Sequence, residues 1–370
     1  MSPSPGGVGR YTAKLVSNLA ALGVDVTTVV ARHTPEEVRT AWAEFDLGAL
    51  PGPTVLPLPR AALYDSWHVL DWPPLSRAAG VDLVHAPSLA VPPKHGKPLV
   101  VSVHDAAPWL FPASFPLRGR WFHHAGVRAA RRRADRVLTG TEAAASELRA
   151  HTSLPPGRLR VIPYGVDHPY VRPEPEEVQA VLRRYDLHDQ QYVLWVGSLE
   201  PRKGLATLVS AVVMLARSSP PPILVLAGYA GWRNANIISP EDRAVLGPAL
   251  RELGRVSETE LKALYDGASV FAFPSWHEGF GLPVLEAMVA GVPVVASDIP
   301  ALREVAGEAA VLVPPGRPEV WADALSRVLG SSSLRAELKG AGRQRAALFS
   351  WKKTAEATLA IYEELLATPG

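Results

Sequence analysis

The feature that most limits what this chain can fold into is an alternation kept up along its length: short runs dense in Val, Ile and Leu, each followed by a longer helix-like segment. In the first half the runs fall at 24–30 (VDVTTVV), 81–86 (VDLVHA), 98–104 (PLVVSVH), 136–140 (RVLTG) and 160–165 (RVIPYG). In the second half they fall at 192–199, 222–228, 250–257, 269–275, 293–298 and 310–315. Strands covered on both faces read this way, and helices supply the cover when the sheet is parallel. The pattern predicts an α/β chain with doubly wound parallel sheets. At 370 residues the chain exceeds what one core usually serves, so two domains are expected. The stretch 167–191, rich in proline and charge, reads as their connection. The expected organisation is therefore 1–168, a linker at 169–191, 192–348, and a final helical segment at 349–370. Ligands of such sheets bind beyond the carboxyl ends of the strands, which makes a cleft between the domains the expected site.

Composition removes several alternatives. A formal net charge of +2 gives no reason to expect nucleic acid as a partner. The absence of cysteine excludes disulfides, thiolate metal sites and a thiol nucleophile, and favours a reducing, cytoplasmic location. The longest apolar stretch, near 205–216, is too short to span a bilayer. One feature at the amino terminus is unusual. The glycine-rich loop PGGVGRY (5–11) normally follows a strand, yet only MSPS precedes it. The expectation is that this domain lacks its first strand or that the true start lies upstream.

Candidate chemistry gathers in a few places. In HEGFGLPVLEAMVAG (277–291), a continuous helix would separate Glu278 from Glu286 by about 12 Å, too far to share one small ligand. Gly279 and Gly281 instead permit a tight turn, and Pro283 suits the first helical position. Glu278 then sits at the mouth of a strand and Glu286 inside the next helix. GSLEPRKG (197–204) also lies between a strand and a helix, and two fixed cations there, Arg202 and Lys203, suit a diphosphate. Cations are disfavoured at a helix's positive pole, which argues for an anion that offsets them. His104 ends a hydrophobic strand, with Asp105 beside it either to orient it or to cap the next segment. His123 and His124 are adjacent and point apart on a helix, a poor metal site. GGVG opening the first helix could meet a phosphate through its backbone, or be a simple turn. No two aspartates are separated by a single residue, so the usual clamp for a nucleotide-bound metal is absent, and no cofactor or metal is expected.

The ordered set GGVGR, VHD, EPRKG, GRVS and HEGFGLPVLEAMVAGVPVVAS resembles glycosyltransferase family 4, retaining enzymes of the two-domain GT-B fold, over essentially the whole chain. The segment 104–148 with GSLEPRKG further resembles bacterial mannosyltransferases of surface-polysaccharide assembly. The resemblance implies two Rossmann-like domains facing a central cleft, the second binding a nucleotide-sugar donor, with GDP-mannose favoured. It implies that Glu278 contacts hydroxyls of the transferred sugar, that the backbone of Phe280, Gly281 and Leu282 meets sugar and phosphate, and that Glu286 holds the ribose. Arg202 and Lys203 would stabilise the departing diphosphate, Gly7 would add a backbone contact, His104 would lie near the anomeric centre and Val256 beside the base. It implies a glycan or lipid-linked acceptor and front-face departure with retained configuration, without a metal. In this fold the terminal helix commonly crosses back to the first domain.

One departure stands out: many relatives carry arginine where Ser198 stands, a difference that marks the polysaccharide-type branch. The basic stretch 118–136, with Arg128, Arg131, Arg132 and Arg136 near Trp121 and Phe122, reads either as a face for anionic lipid at the inner membrane or as a solvated helix. Other classes bear on the same residues. A glycoside hydrolase needs its carboxylates flanking one bond, not one of them beside a diphosphate pair. A sugar-nucleotide epimerase shares the fold, and Ser198 with the short amino terminus would also suit a non-catalytic sugar-nucleotide-binding subunit.

Overall fold

The structure, a computed structural model, describes residues 6–75, 80–217, 221–229 and 237–367. The chain divides into two compact units, Met1–Gly165 with Trp351–Gly370, and Val166–Ser350.

In the first unit, β1 (Val29–Val30) pairs in parallel with β2 (Thr54–Val55). Strands β3 (Val84–Ala86), β4 (Leu99–Ser102), β5 (Arg136–Thr139) and β6 (Leu159–Val161) form a four-stranded parallel sheet in that order. All of β4 is buried, as a run of Leu-Val-Val-Ser without polar alternation requires. Leu99, Val101, Val137 and Leu148 lie in the core beneath it. The run at 24–30 forms a strand only at its last two residues; its partner β2 is hidden among prolines at 51, 53, 57 and 59. Among the described residues no strand precedes the helix Gly7–Ala21, and residues 1–5 lie outside them. That helix buries Tyr11, Leu15 and Leu19 on one stripe and packs on the helix Trp351–Ala367. The latter buries Trp351, Thr354, Ala355, Thr358 and Tyr362, and Thr354 Oγ1 donates to the Pro163 carbonyl at 2.8 Å.

The second unit holds a six-stranded parallel sheet of β7 (Tyr192–Val196), β8 (Ile223–Ala227), β9 (Leu250–Gly254), β10 (Val270–Phe273), β11 (Val294–Ser297) and β12 (Val311–Val313). Its order is β12-β11-β10-β7-β8-β9, so the winding reverses between β7 and β10. These two strands are neighbours, with Val193 opposite Val270 and Leu194 opposite Phe271. Full burial of β10 and of Trp195, Leu208, Val212, Trp321 and Leu325 builds the core, each large apolar side chain contributing about 1.5–3 kcal/mol. The stretch 169–191, expected as a connection, carries a helix, Pro175–Arg184, that buries Val178 and Leu182 against the helix Glu258–Gly267. Tyr185 anchors its end by donating to Glu260 at 2.9 Å. Glutamates and arginines around those two apolar positions mask them in the sequence.

Among the described residues no helix is long and apolar enough to cross a membrane. In the basic stretch, Arg128, Arg131 and Arg132 are exposed on the helix Leu117–Arg133. Arg136 departs from the expected face: it starts β5, where strand pairing replaces helical spacing, and it forms an ion pair with Glu364. Arg133 is buried, donating to the Val91 carbonyl at 3.1 Å.

Candidate active site

The reversal between β7 and β10 opens a crevice at their carboxyl ends, because the chain leaving each strand turns to the opposite side of the sheet. Each exit loop ends in a glycine of left-handed conformation that starts a helix. After β7, residues 197–200 lead into the short turn Pro201–Lys203 and then Gly204, which starts Leu205–Ala216. After β10, residues 274–280 lead to Gly281, which starts Leu282–Ala290 with Pro283 as its second residue. The loops lock together. A Cβ on Gly204 would lie 1.9 Å from the Pro274 carbonyl oxygen, and the Trp276 amide donates to the Arg202 carbonyl at 2.9 Å.

This lock brings three of the expected residues into one cluster. Lys203 Nζ lies 2.7 Å from Glu278 Oε1, and Arg202 Nη1 lies 4.0 Å from Glu278 Oε2. Arg202 Nη1 also donates to the His277 carbonyl at 2.9 Å, and Nη2 is 3.5 Å from Glu200 Oε2. The Lys203 ammonium stands 5.5 Å above the Phe273 ring, a cation–π contact. Ser198 adds no charge; its hydroxyl donates to Glu200 Oε1 at 2.8 Å. The cluster thus holds two cations and two carboxylates, and an arriving diphosphate would meet a pair already facing Glu278 and Glu200. Burial alone would raise the Glu278 carboxyl, but the charges of Lys203, then Arg202, with the hydrogen bond from Lys203, hold it below the usual carboxylate range.

The two glutamates that bracket the turn serve separate places. Glu278 closes on Lys203 from the loop, whereas Glu286, half-buried in the second turn of its helix, accepts from the Tyr265 hydroxyl at 3.3 Å. Phe280 and Leu282 are buried, and the Phe280 ring meets Phe349 edge-on at 6.0 Å, so the backbone is what their segment offers a ligand. Val256 lies half-buried after β9, two strands from β7 and outside the Lys203–Glu278 cluster.

The first unit carries its own cluster, at the carboxyl end of β4. His104 Nε2 lies 2.9 Å from the Pro87 carbonyl and Nδ1 lies 2.6 Å from the Tyr164 hydroxyl. Burial pushes its imidazole below the ordinary histidine value, against the pull of the Pro87 carbonyl and Asp105. Asp105 itself accepts from the Ala107 amide at 2.9 Å, capping the next segment. Gly7 begins the helix whose Tyr11 packs edge-on against His104 at 5.0 Å, so the glycine loop and this histidine share a neighbourhood. Among the described residues no three His, Asp or Glu side chains converge as metal ligands do. Glu200, Tyr265 and Tyr164 are not marked as site residues by any motif in the sequence. Glu200 and Tyr164 follow strand ends as His104 does, which was the available signal.

The family model described as "Glycosyltransferase Family 4" matches residues 5–169, and that described as "Glycosyl transferases group 1" matches residues 182–345. O-antigen chain mannosyltransferase B of Escherichia coli is 30% identical over 286 residues, covering 76% of this chain and 74% of that protein. MMP alpha-(1->4)-mannosyltransferase of Mycolicibacterium hassiacum is 29% identical over 98% of this chain and 95% of its own. Among solved structures, Anabaena HepE in complex with UDP and glucose superposes with a TM-score of 0.77 at 19% identity, covering 99% of this chain and 98% of that one. Sucrose-phosphate synthase from Thermosynechococcus elongatus superposes at 0.74 with 24% identity, covering 96% and 93%. The chain belongs to glycosyltransferase family 4 and has the GT-B fold.

Proposed function

We propose that this glycosyltransferase moves a hexose, with mannose favoured, from a nucleoside-diphosphate sugar to a hydroxyl of a glycan or lipid-linked acceptor, with retention of configuration and without a metal. The observation that carries the reading is the Lys203–Glu278 contact of 2.7 Å at the crevice between β7 and β10. It places a carboxylate able to hold sugar hydroxyls against a cation able to hold phosphate, at the point where α/β sheets bind nucleotides. As the bond between anomeric carbon and phosphate lengthens, negative charge grows on the diphosphate. Lys203 draws it off, with Arg202 beside it fixed by the His277 carbonyl. The first-turn amides of the helices starting at Leu205 and Leu282 add positive potential. On this reading Glu286 holds the ribose, Val256 flanks the base, Gly7 contributes its amide, and His104 lies beside the sugar near the reacting carbon. The departing phosphate oxygen takes the acceptor's proton, which dispenses with a separate base.

Mannose is favoured by the two mannosyltransferase relatives; the UDP bound to HepE makes uridine the competing base. Incubation with GDP-mannose, UDP-glucose and ADP-glucose, followed by nucleoside-diphosphate release and proton NMR of the product anomer, decides among them. Release with GDP-mannose and an α product supports the proposal. Release only with a uridine donor, or an inverted anomer, removes the donor or the stereochemical part of it.

A further inference from the structure

Between Val270 and Ser297 the chain runs through β10, the Glu278 loop and the helix that carries Glu286, and every residue but one is buried or half-buried. The exception is Trp276, 45% exposed. Its neighbours Ser275 and His277 are both buried, so the loop turns only this residue outward. Leaving so large an apolar side chain in water forgoes the burial that the rest of the stretch obtains.

The indole is seated, not loose. Its backbone amide donates to the Arg202 carbonyl at 2.9 Å, which ties it to the loop carrying Lys203. Its six-membered ring lies on Gly316, in the exit loop of β12, where a Cβ would fall 2.2 Å from Cη2 and 2.7 Å from Cζ2. A side chain at 316 would push the ring away, and the φ of +70° there favours glycine as well. Trp276 therefore spans from the exit of β10 to that of β12, two strands along the sheet. That direction matters, because β7, β8 and β9 lie on the other side of β10. Val256, read as the flank of the base, follows β9, so the base and the indole take opposite ends of the row of strand exits. The face of an indole is flat, apolar and electron-rich, and it attracts C–H groups of partial positive charge. A pyranose ring offers several such C–H groups on one side and hydroxyls around its rim. Exposed Arg317, beside Gly316 in the chain and 3.6 Å from Glu319, puts polar groups next to the seat of the indole.

We propose that Trp276 is a stacking platform for a pyranose ring of the acceptor, so that this enzyme extends a chain that already ends in a sugar and does not glycosylate a non-carbohydrate alcohol. This rests on the reading of the Lys203–Glu278 crevice as the seat of the transferred hexose. Trp276 stands two residues before Glu278, which sets the platform beside that seat, away from the nucleotide base.

The test reads binding apart from transfer. Methyl α-D-mannopyranoside, with the open-chain polyol mannitol as control, is offered to the full chain in the presence of GDP and of UDP in turn, and saturation-transfer NMR records which ligand protons approach the protein. In the wild type the ring C–H protons of the mannoside are saturated and those of mannitol are not. In Trp276→Ala the signal falls about fivefold, the range of one aromatic contact, while Trp276→Phe keeps part of it. Gly316→Val, which displaces the indole without removing it, matches the alanine variant, and calorimetric affinity for the nucleoside diphosphate stays at the wild-type value in all three. Should Trp276→Ala not fold, Trp276→Leu, apolar but without an aromatic face, takes its place; should Gly316→Val not fold, the substitutions at 276 decide. No saturation of the mannoside by the wild type overturns the proposal, as do equal saturation of mannitol and an unchanged signal in the folded alanine or leucine variant. Loss of nucleoside-diphosphate affinity in that variant also overturns it, since the indole would then serve the base. If the wild type binds the mannoside through Trp276 yet transfers no sugar from any nucleotide donor, the functional reading falls and the platform stands.

Discussion

Lys203 sits between a carboxylate and an aromatic face, and its loss has two separable effects. Lys203→Ala lowers kcat by on the order of a hundredfold or more, the scale of one preorganised charge at a developing anion. It also strands the buried Glu278. Arg202 remains 4.0 Å away, so the stability cost stays below the roughly 3–5 kcal/mol typical of breaking a buried pair. The pH dependence follows from the sign of the Glu278 shift. Its folded carboxyl lies below the ordinary range, so its contribution to stability is present above the unfolded value and fades as pH falls through the lower, folded value. With Lys203 gone, burial weighs more and the fading begins at higher pH. Denaturation midpoints of wild type and Lys203→Ala from pH 3 to 7, each referred to Glu278→Gln, measure this; identical profiles would contradict the ion pair. Gly204 gives a harsher case. Its φ of +66° and the Pro274 oxygen 1.9 Å from a notional Cβ make Gly204→Ala cost on the order of 3 kcal/mol, read as a lower unfolding midpoint. Gly7→Ala meets nothing within 4 Å and keeps its stability, so any fall in its turnover reports on a ligand and not on the fold.

At the scale of elements, what could be read in advance was whatever one segment decides by itself. Strands β4, β7, β10 and β11 were legible because a buried parallel strand writes its own apolar run. Segments whose identity depends on a distant partner were not. β2 exists because β1 lies beside it, and the helix Pro175–Arg184 because Glu258–Gly267 covers Val178 and Leu182. Arg136 was grouped with a helical face from which the turn into β5 removes it. In the site, Glu278, Arg202 and Lys203 were visible as residues at strand exits, but the contact of Glu200 was not, since it depends on Arg202 folding back onto the loop. The helix Leu117–Arg133 carries an element-scale prediction. Leu117 is 80% exposed and Trp121 38% exposed, and they share a helix with exposed Arg128, Arg131 and Arg132. If this face meets anionic lipid, sedimentation with vesicles containing phosphatidylglycerol falls several-fold in an Arg128/Arg131/Arg132→Ala variant and falls with added salt, each charge near such a surface contributing about 1 kcal/mol. Equal sedimentation of variant and wild type would leave the helix simply solvated.

For the whole molecule, the division into two units gives a prediction about ligand and stability. The Lys203–Glu278 cluster lies wholly within Val166–Ser350, so on the proposed function a nucleoside diphosphate stabilises that unit directly. At a ligand concentration of 100 Kd the gain is about 2.7 kcal/mol. In hydrogen-exchange measurements, protection rises first in β7, β10 and the helices that follow them. Protection confined to the four-stranded sheet of the other unit would place the nucleotide elsewhere. The unit that holds His104 is built from two stretches separated by the whole of the other, and Tyr362, Thr354 and Glu364 bind it from the far side of that gap. On the ribosome, then, the earlier-made unit waits with its first helix uncovered until the stretch beginning at Trp351 has been made. The inserted unit, contiguous in sequence, emerges whole and needs no such wait.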